Sequence, residues 1–138
     1  DLGHVGSQLF RELLAAEGVG VITGPILTDR SKPELAGLTI ENPARLAKAG
    51  VEIAICTDHP ETPIQYLPLC AAMAVRGGLD PEEALAAITS SAAEIAGLSK
   101  RVGTLTPGKD ADVVVTSGHP FDWNGSIRAV FLNGRRVK

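Results

Sequence analysis

The sequence predicts an α/β protein: a body of alternating strands and helices followed by a short β-rich C-terminal segment. Three observations carry this. Short apolar runs alternate with amphipathic stretches over the first 58 residues. Two helix-to-strand joins, "AEGVGV" and "KAGVEI", look alike, as if one unit were repeated. Beyond residue 98 the pattern turns to Gly-rich turns and strands, which divides the chain into an α/β part, 1–98, and a small β part, 99–138.

The opening "DLGHV" reads as a short strand. In "SQLFRELLAAEG", Leu9, Phe10, Leu13 and Leu14 recur at helical spacing; Ser7 suits the start as a cap and Gly18 the end. "VGVIT", residues 19–23, reads as a buried strand, and "GPILTDRSKPELAGL" as a loop on the active side. In "NPARLAKAG", Asn42 is the expected cap, Pro43 suits the first helical position and Gly50 closes the helix. "VEIAICT", residues 51–57, is mostly apolar, as a strand buried on both faces should be. Strand, helix, strand, helix, strand implies parallel pairing through right-handed crossovers.

Helices follow. "TPIQYLPLCAAMAVRGG" contains Pro68, which kinks or splits it. "DPEEALAAITSS" has Asp80 as cap, Pro81 at the first position, and Glu82 and Glu83 where the helix dipole favours acids. "SAAEIAGL" is a further short helix ending near Gly97. The tail holds a strand "ADVVVTS", a loop, a strand "IRAVFL" and a hairpin signal "NGR".

Of the 138 residues, 44% are hydrophobic and 21% charged, ordinary for a water-soluble globular domain with a real core. The net charge of −3 offers no basic footprint for nucleic acid or an anionic membrane. No apolar run reaches the ~18–20 residues that span a bilayer. Cys56 and Cys70 each sit in an apolar stretch without a CxxC partner, so both are expected as buried free thiols in a reducing cytosol. The chain opens inside strand-like residues and without Met, which suggests a fragment.

One stretch invites a chemical reading. The apolar run Val51–Cys56 ends at Thr57, Asp58 and His59, and Pro60 stops it. Functional groups of α/β proteins sit just past the carboxyl ends of strands. A carboxylate there can bind a metal or take a proton from water; the plain alternative for Asp58 is a turn or cap. His4 ends the first predicted strand and can ligate metal or donate to a substrate oxygen, or is a structural histidine. His59 points away from its neighbour and suits a supporting or substrate-side role. His119, in "GHPFD", is a turn residue. Arg30 can hold a substrate carboxylate, in one pocket with Thr28 and Asp58, or is a solvated loop arginine. There is no HxH, HExxH, cysteine cluster or GxSxG, and "GTLTPGK" lacks the hydroxyl residue and helix of a phosphate loop.

Several pieces together resemble the amidohydrolase superfamily of metal-dependent hydrolases, its imidazolonepropionase-like branch in particular. "GKDADVVV", residues 108–115, preceded by "GTLTPG", looks like the passage by which these enzymes re-enter their small β domain. "DPEEALAAITSSAAEIAGL" looks like the helical run before it, "AVFLNGRRV" like the closing hairpin, "GVEIAICTDHP" like the last barrel strand and "LAAEGVGVITGP" like the strand before. The resemblance covers nearly the whole chain. It implies a partial (β/α)8 TIM barrel, the last three β/α units, followed by helices and a small C-terminal β-sandwich segment. It further implies that Asp58 matches a strand-eight aspartate that binds metal and acts as general base, and that His4 matches a strand-six histidine that binds metal or polarises the substrate carbonyl. The expected cofactor is a divalent metal, zinc first, in the complete enzyme. The expected chemistry is hydrolysis of C–N amide or cyclic-amide bonds.

The other ligands of such a site have no counterpart here, and two are too few for catalytic zinc. The expectation is therefore the C-terminal part of a cytoplasmic hydrolase, inactive as this chain alone. Its partners would be a small-molecule amide and either the missing N-terminal barrel portion or another copy covering the open strand edges. The rival is a non-catalytic binding or assembly module in which Asp58 and His59 form a capped turn.

Overall fold

The structure, a computed structural model, describes residues 2–30 and 33–138, with side chains for residues 9–30, 33 and 35–138. Helix α1 spans Leu2–Ala16, strand β1 Val21–Thr23, helix α2 Asn42–Lys48 and strand β2 Ile53–Ile55. Helices α3 (Leu67–Arg76), α4 (Pro81–Ala87) and α5 (Ser90–Ile95) follow, then strands β3 (Val113–Thr116), β4 (Ile127–Leu132) and β5 (Arg135–Arg136).

β1 and β2 pair in parallel, Val21 opposite Ile53 and Thr23 opposite Ile55. All three residues of β2 are buried. Helices α2, α3, α4 and α5 all pack on β2, which makes it the axis of the core. Alanines 71, 74, 84 and 87 let α3 and α4 approach closely around Ile53, Ile55 and Cys70. Burying each isoleucine stabilises the fold by about 2 kcal/mol. β1 is less covered: Ile22 is 62% exposed.

The two similar joins share one mechanism. After α1, the Gly18 amide donates to the Ala15 carbonyl and the Val19 amide to that of Leu14; after α2, Gly50 donates to Ala47 and Val51 to Leu46. Gly18 and Gly50 have φ of 63° and 81°, the left-handed step of a Schellman closure. Each closure turns the chain from a helix toward the strand that follows.

Some expectations need correction. Residues 2–5, expected as a strand, are helical: α1 spans Leu2–Ala16, so Ser7 lies inside the helix rather than at its cap. A strand needs a partner across a ladder, whereas a helix satisfies its backbone locally, and among the described residues no strand lies on the free edge of β1. Asn42 does not cap α2: the cap position is Glu41, and the Asn42 side-chain amide donates to the Gly37 carbonyl at 3.3 Å. Pro68, expected to kink or split its segment, splits it, with a 3-10 turn at Ile64–Tyr66 before it and α3 starting around it. Cys56 is half-buried, while Cys70 is fully buried; both are free thiols. Asp80 caps as expected, its Oδ1 accepting from the Glu82 amide at 2.8 Å and the Glu83 amide at 3.3 Å.

β3, β4 and β5 form a separate antiparallel sheet. Asn133 and Gly134 make the two-residue turn between β4 and β5, with φ of 49° and 76°, the mirror-image turn that matches strand twist. The two acids of "GKDAD" are tied down. Asp110 pairs with Arg101 at 2.6 Å, and Asp112 Oδ1 accepts from the Asn133 amide at 2.7 Å, pinning the start of β3 to the hairpin. His119 is a turn residue, its Nδ1 accepting from the Phe121 amide at 3.2 Å, and Phe121 packs on the main core. Among the described residues, no helix is long and apolar enough to cross a membrane.

Candidate active site at the carboxyl end of the parallel strands

β1 and β2 run side by side and finish together. Past the last paired residue the Cys56 amide still donates to the Thr23 carbonyl at 3.0 Å, which carries the ladder one step further. The next residue on the β1 side is Gly24, at φ 147°. A Cβ there would meet the Cys56 carbonyl oxygen at 2.3 Å, so the two strand ends approach as closely as they do because Gly24 has no side chain.

Thr57 is buried, and Asp58 is the first exposed residue beyond β2. Its φ of 50° is left-handed, a conformation in which aspartate is enriched among non-glycine residues. The chain then doubles back: the Glu61 amide donates to the Asp58 carbonyl at 2.9 Å, and the Thr62 amide to the Thr57 carbonyl at 3.2 Å. The result is a closed turn, residues 57–62, standing on the end of the most buried strand. His59 is exposed on this turn, next to Asp58.

The loop after β1 borders the turn. Thr62 Oγ1 donates to the Leu27 carbonyl at 2.8 Å, and Thr28 Oγ1 donates to Glu61 Oε1 at 2.7 Å. The Thr28 hydroxyl is thus engaged with Glu61, and Arg30 lies exposed two residues on. Beneath the same loop lies Cys70. Burial pushes its thiol up from the ordinary value, against the lowering effect of the Ile26 and Leu27 backbone, with Cys56 adding a smaller upward push. This sulfur is a neutral part of the floor.

The structure therefore brings Asp58, His59, Thr28 and the sequence-silent Glu61 and Thr62 together at one strand end. His4 is helical in its backbone, within α1, and its side chain lies outside the described residues. Thr62 escaped notice because a threonine after "DHPE" carries no mark of burial. A groove of about 350 Å³ lies alongside β1, lined by Thr23, Gly24, Leu38 and Asn42 among others, and does not include Asp58. Among the described residues no group of three or more His, Cys, Asp or Glu side chains is placed to hold a metal ion. One strand-end carboxylate and its neighbouring imidazole fall short of the three protein ligands of a catalytic zinc, so the described residues alone do not fit such an ion.

A parallel strand pair with an acid just past its carboxyl end, followed by helices and a small antiparallel sheet, is an arrangement that comparison with known proteins identifies. The profile of the amidohydrolase family matches residues 12–137, and the chain belongs to that family. Within it the chain is imidazolonepropionase-like. It is 36% identical to an imidazolonepropionase of Deinococcus deserti, a match over 90% of this chain and 35% of that protein. A second imidazolonepropionase, from Geobacillus kaustophilus, is 45% identical over 51% of this chain and 18% of its own length. The solved structure of an amidohydrolase from Thermotoga maritima superposes with a TM-score of 0.90 at 42% identity, over 96% of this chain and 35% of that one. The chain thus spans about a third of the length of the Deinococcus and Thermotoga proteins. A zinc-bound adenosine deaminase from Xanthomonas campestris shares the fold at a TM-score of 0.62 and 22% identity.

Proposed function

We propose that this chain is the C-terminal portion of a metal-dependent amidohydrolase that hydrolyses the C–N bond of an amide or cyclic amide, with Asp58 as its general base. The observation that carries this is the position of Asp58: exposed, on a closed turn, at the carboxyl end of the strand on which the core is built. Functional groups of parallel α/β barrels gather at that end. Membership of the amidohydrolase family and the likeness to imidazolonepropionases point to the same chemistry.

In this reading Asp58 takes a proton from the attacking water and returns it to the leaving nitrogen. His4, assigned by resemblance alone, would stabilise the developing oxyanion. Arg30 and His59, both exposed on the strand-end loops, contact the substrate. The chain's share of a divalent-metal site is partial, the remaining ligands coming from the other two thirds of a complete barrel. This chain would hold barrel strands seven and eight, the helices after them and the C-terminal strands of a small β-sandwich, and would be inactive alone.

The test is Asp58→Asn in the complete enzyme, assayed on cyclic amides that include an imidazolone ring. Asparagine keeps the left-handed turn but cannot accept the proton. The expected loss in kcat is about 10²–10⁴-fold. Turnover within a few-fold of the unaltered enzyme would remove Asp58 from the chemistry.

One observation favours an assembly role besides. Leu9, Phe10 and Leu13 on α1 are 66%, 60% and 56% exposed. They form an apolar face suited to the rest of a barrel or to a second copy.

A further inference from the structure

We infer that Thr62 is a positioning residue for Asp58, and that with the Thr28–Glu61 pair it clamps the turn after β2 onto the loop after β1. The inference rests on the reading of Asp58 as the base.

The turn from Thr57 to Thr62 is closed by only two backbone hydrogen bonds of its own, Glu61 to Asp58 and Thr62 to Thr57. Left to itself, a turn of this size with a non-glycine residue at φ 50° would exchange with conformations of lower backbone energy. Two further bonds cross to the neighbouring loop. One is buried: Thr62 is 3% exposed, and its hydroxyl satisfies the Leu27 carbonyl. The other is at the surface, from Thr28 to the Glu61 carboxylate. They grip adjacent residues, 61 and 62, and hold them to adjacent residues, 27 and 28. Asp58 is fixed in turn, because its carbonyl is bonded to the Glu61 amide and its predecessor's carbonyl to the Thr62 amide.

The neighbouring loop is itself anchored. Ile26 is buried in the core and Leu27 packs against it, over the fully buried Cys70. The rigidity of the core is therefore transmitted to an exposed carboxylate through the buried Thr62 hydroxyl, seconded by the surface bond from Thr28 to Glu61. A general base works only when held near the productive geometry, and misplacement by an ångström costs about 10²-fold. Valine at 62 would keep the shape of threonine while removing the donor and leaving the Leu27 carbonyl without it.

The experiment compares Thr62→Val, Thr62→Ser, Thr28→Val and Asp58→Asn in the complete enzyme, by amide hydrogen exchange and by steady-state kinetics on a cyclic amide. Thr62→Val is expected to speed exchange at the Glu61 and Thr62 amides at least tenfold. The Cys56 amide, bonded to Thr23 within the ladder, should stay within about twofold, since the ladder does not depend on the clamp. kcat should fall by about 10²-fold with KM little changed, and Thr62→Ser should restore both exchange and kcat. Thr28→Val should act in the same direction but more weakly, at little cost in stability because the bond is exposed. Uniformly faster exchange, Cys56 included, would show a merely structural threonine and overturn the inference. So would unchanged exchange at 61 and 62, even with Asp58→Asn inactive, in which case the base stands without the clamp. If Asp58→Asn is fully active while Thr62→Val loosens only the turn, the base reading fails and the positioning role fails with it; the exchange data identify that case.

Discussion

Cys70 is fully buried beneath the strand-end loop, and its environment favours the neutral thiol. The folded chain holds this proton more tightly than the unfolded chain, whose cysteine titrates near the ordinary value of 9.0. Below that pH both states carry the proton and the group has no effect on the pH dependence of stability. Above it the unfolded chain loses the proton first, so the free energy of unfolding falls as pH rises. Urea titrations at about pH 8 and about pH 10 should show a larger loss of stability in the unaltered protein than in Cys70→Ala, because the other ionisable groups are common to the two proteins and cancel in the comparison. An equal loss in the two proteins would remove Cys70 as the cause. In the native state a small alkylating reagent should reach the half-buried Cys56 first and Cys70 only on unfolding.

At the scale of the element, Asp80 offers a quantitative check. It accepts from two first-turn amides of α4, and α4 packs on β2. Asp80→Ala should lower unfolding stability by about 1 kcal/mol, and Asp80→Asn by much less, since its side-chain oxygen can still accept. Equal losses for the two variants would point to charge rather than capping. This cap was legible in the sequence because its cause is local: an acid, a proline and two glutamates in a row. The β2 strand was legible for a similar reason, since a mostly apolar run has few fates other than burial on both faces, and Asp58 stood out as the polar break that ended it. The two helix-to-strand closures were legible as repeated Ala-x-Gly-Val and Ala-Gly-Val spellings. What escaped depends on distant partners. Whether "DLGHV" pairs as a strand is decided by the presence of a neighbour, not by its own residues, and in the structure the helix continues through Leu2 instead. Thr62 is functional in our proposal only because Leu27, thirty-five residues away, presents a carbonyl to it. The sheet register that joins the loops after β1 and β2 sits between those two segments and is written in neither.

At the scale of the whole molecule, the surface is unfinished in two places. On the α/β part, Leu9, Phe10 and Leu13 face outward while, among the described side chains of α1, Leu14 and Ala15 pack against the core, and Ile22 is exposed on β1. On the β part, Val114, Val115, Ile127 and Leu132 are exposed along β3 and β4. Monomeric proteins rarely leave such apolar strips uncovered, and a strand edge with free amides and carbonyls recruits another chain. The chain spans about a third of the Deinococcus and Thermotoga proteins it matches, and in our proposal these apolar strips meet the rest of a barrel. The isolated 138-residue chain should therefore self-associate in a concentration-dependent way by sedimentation velocity. Phe10→Glu with Leu13→Glu should weaken that association, because charge on the α1 face opposes burial without entering the core. Zinc titration of the same chain should show no stoichiometric tight site and no turnover of a cyclic amide, since the described residues fall short of a ligand set. A monomer that binds one zinc tightly and hydrolyses the amide would overturn the portion reading, because it would mean that the strand-end carboxylate finds its remaining ligands within these residues.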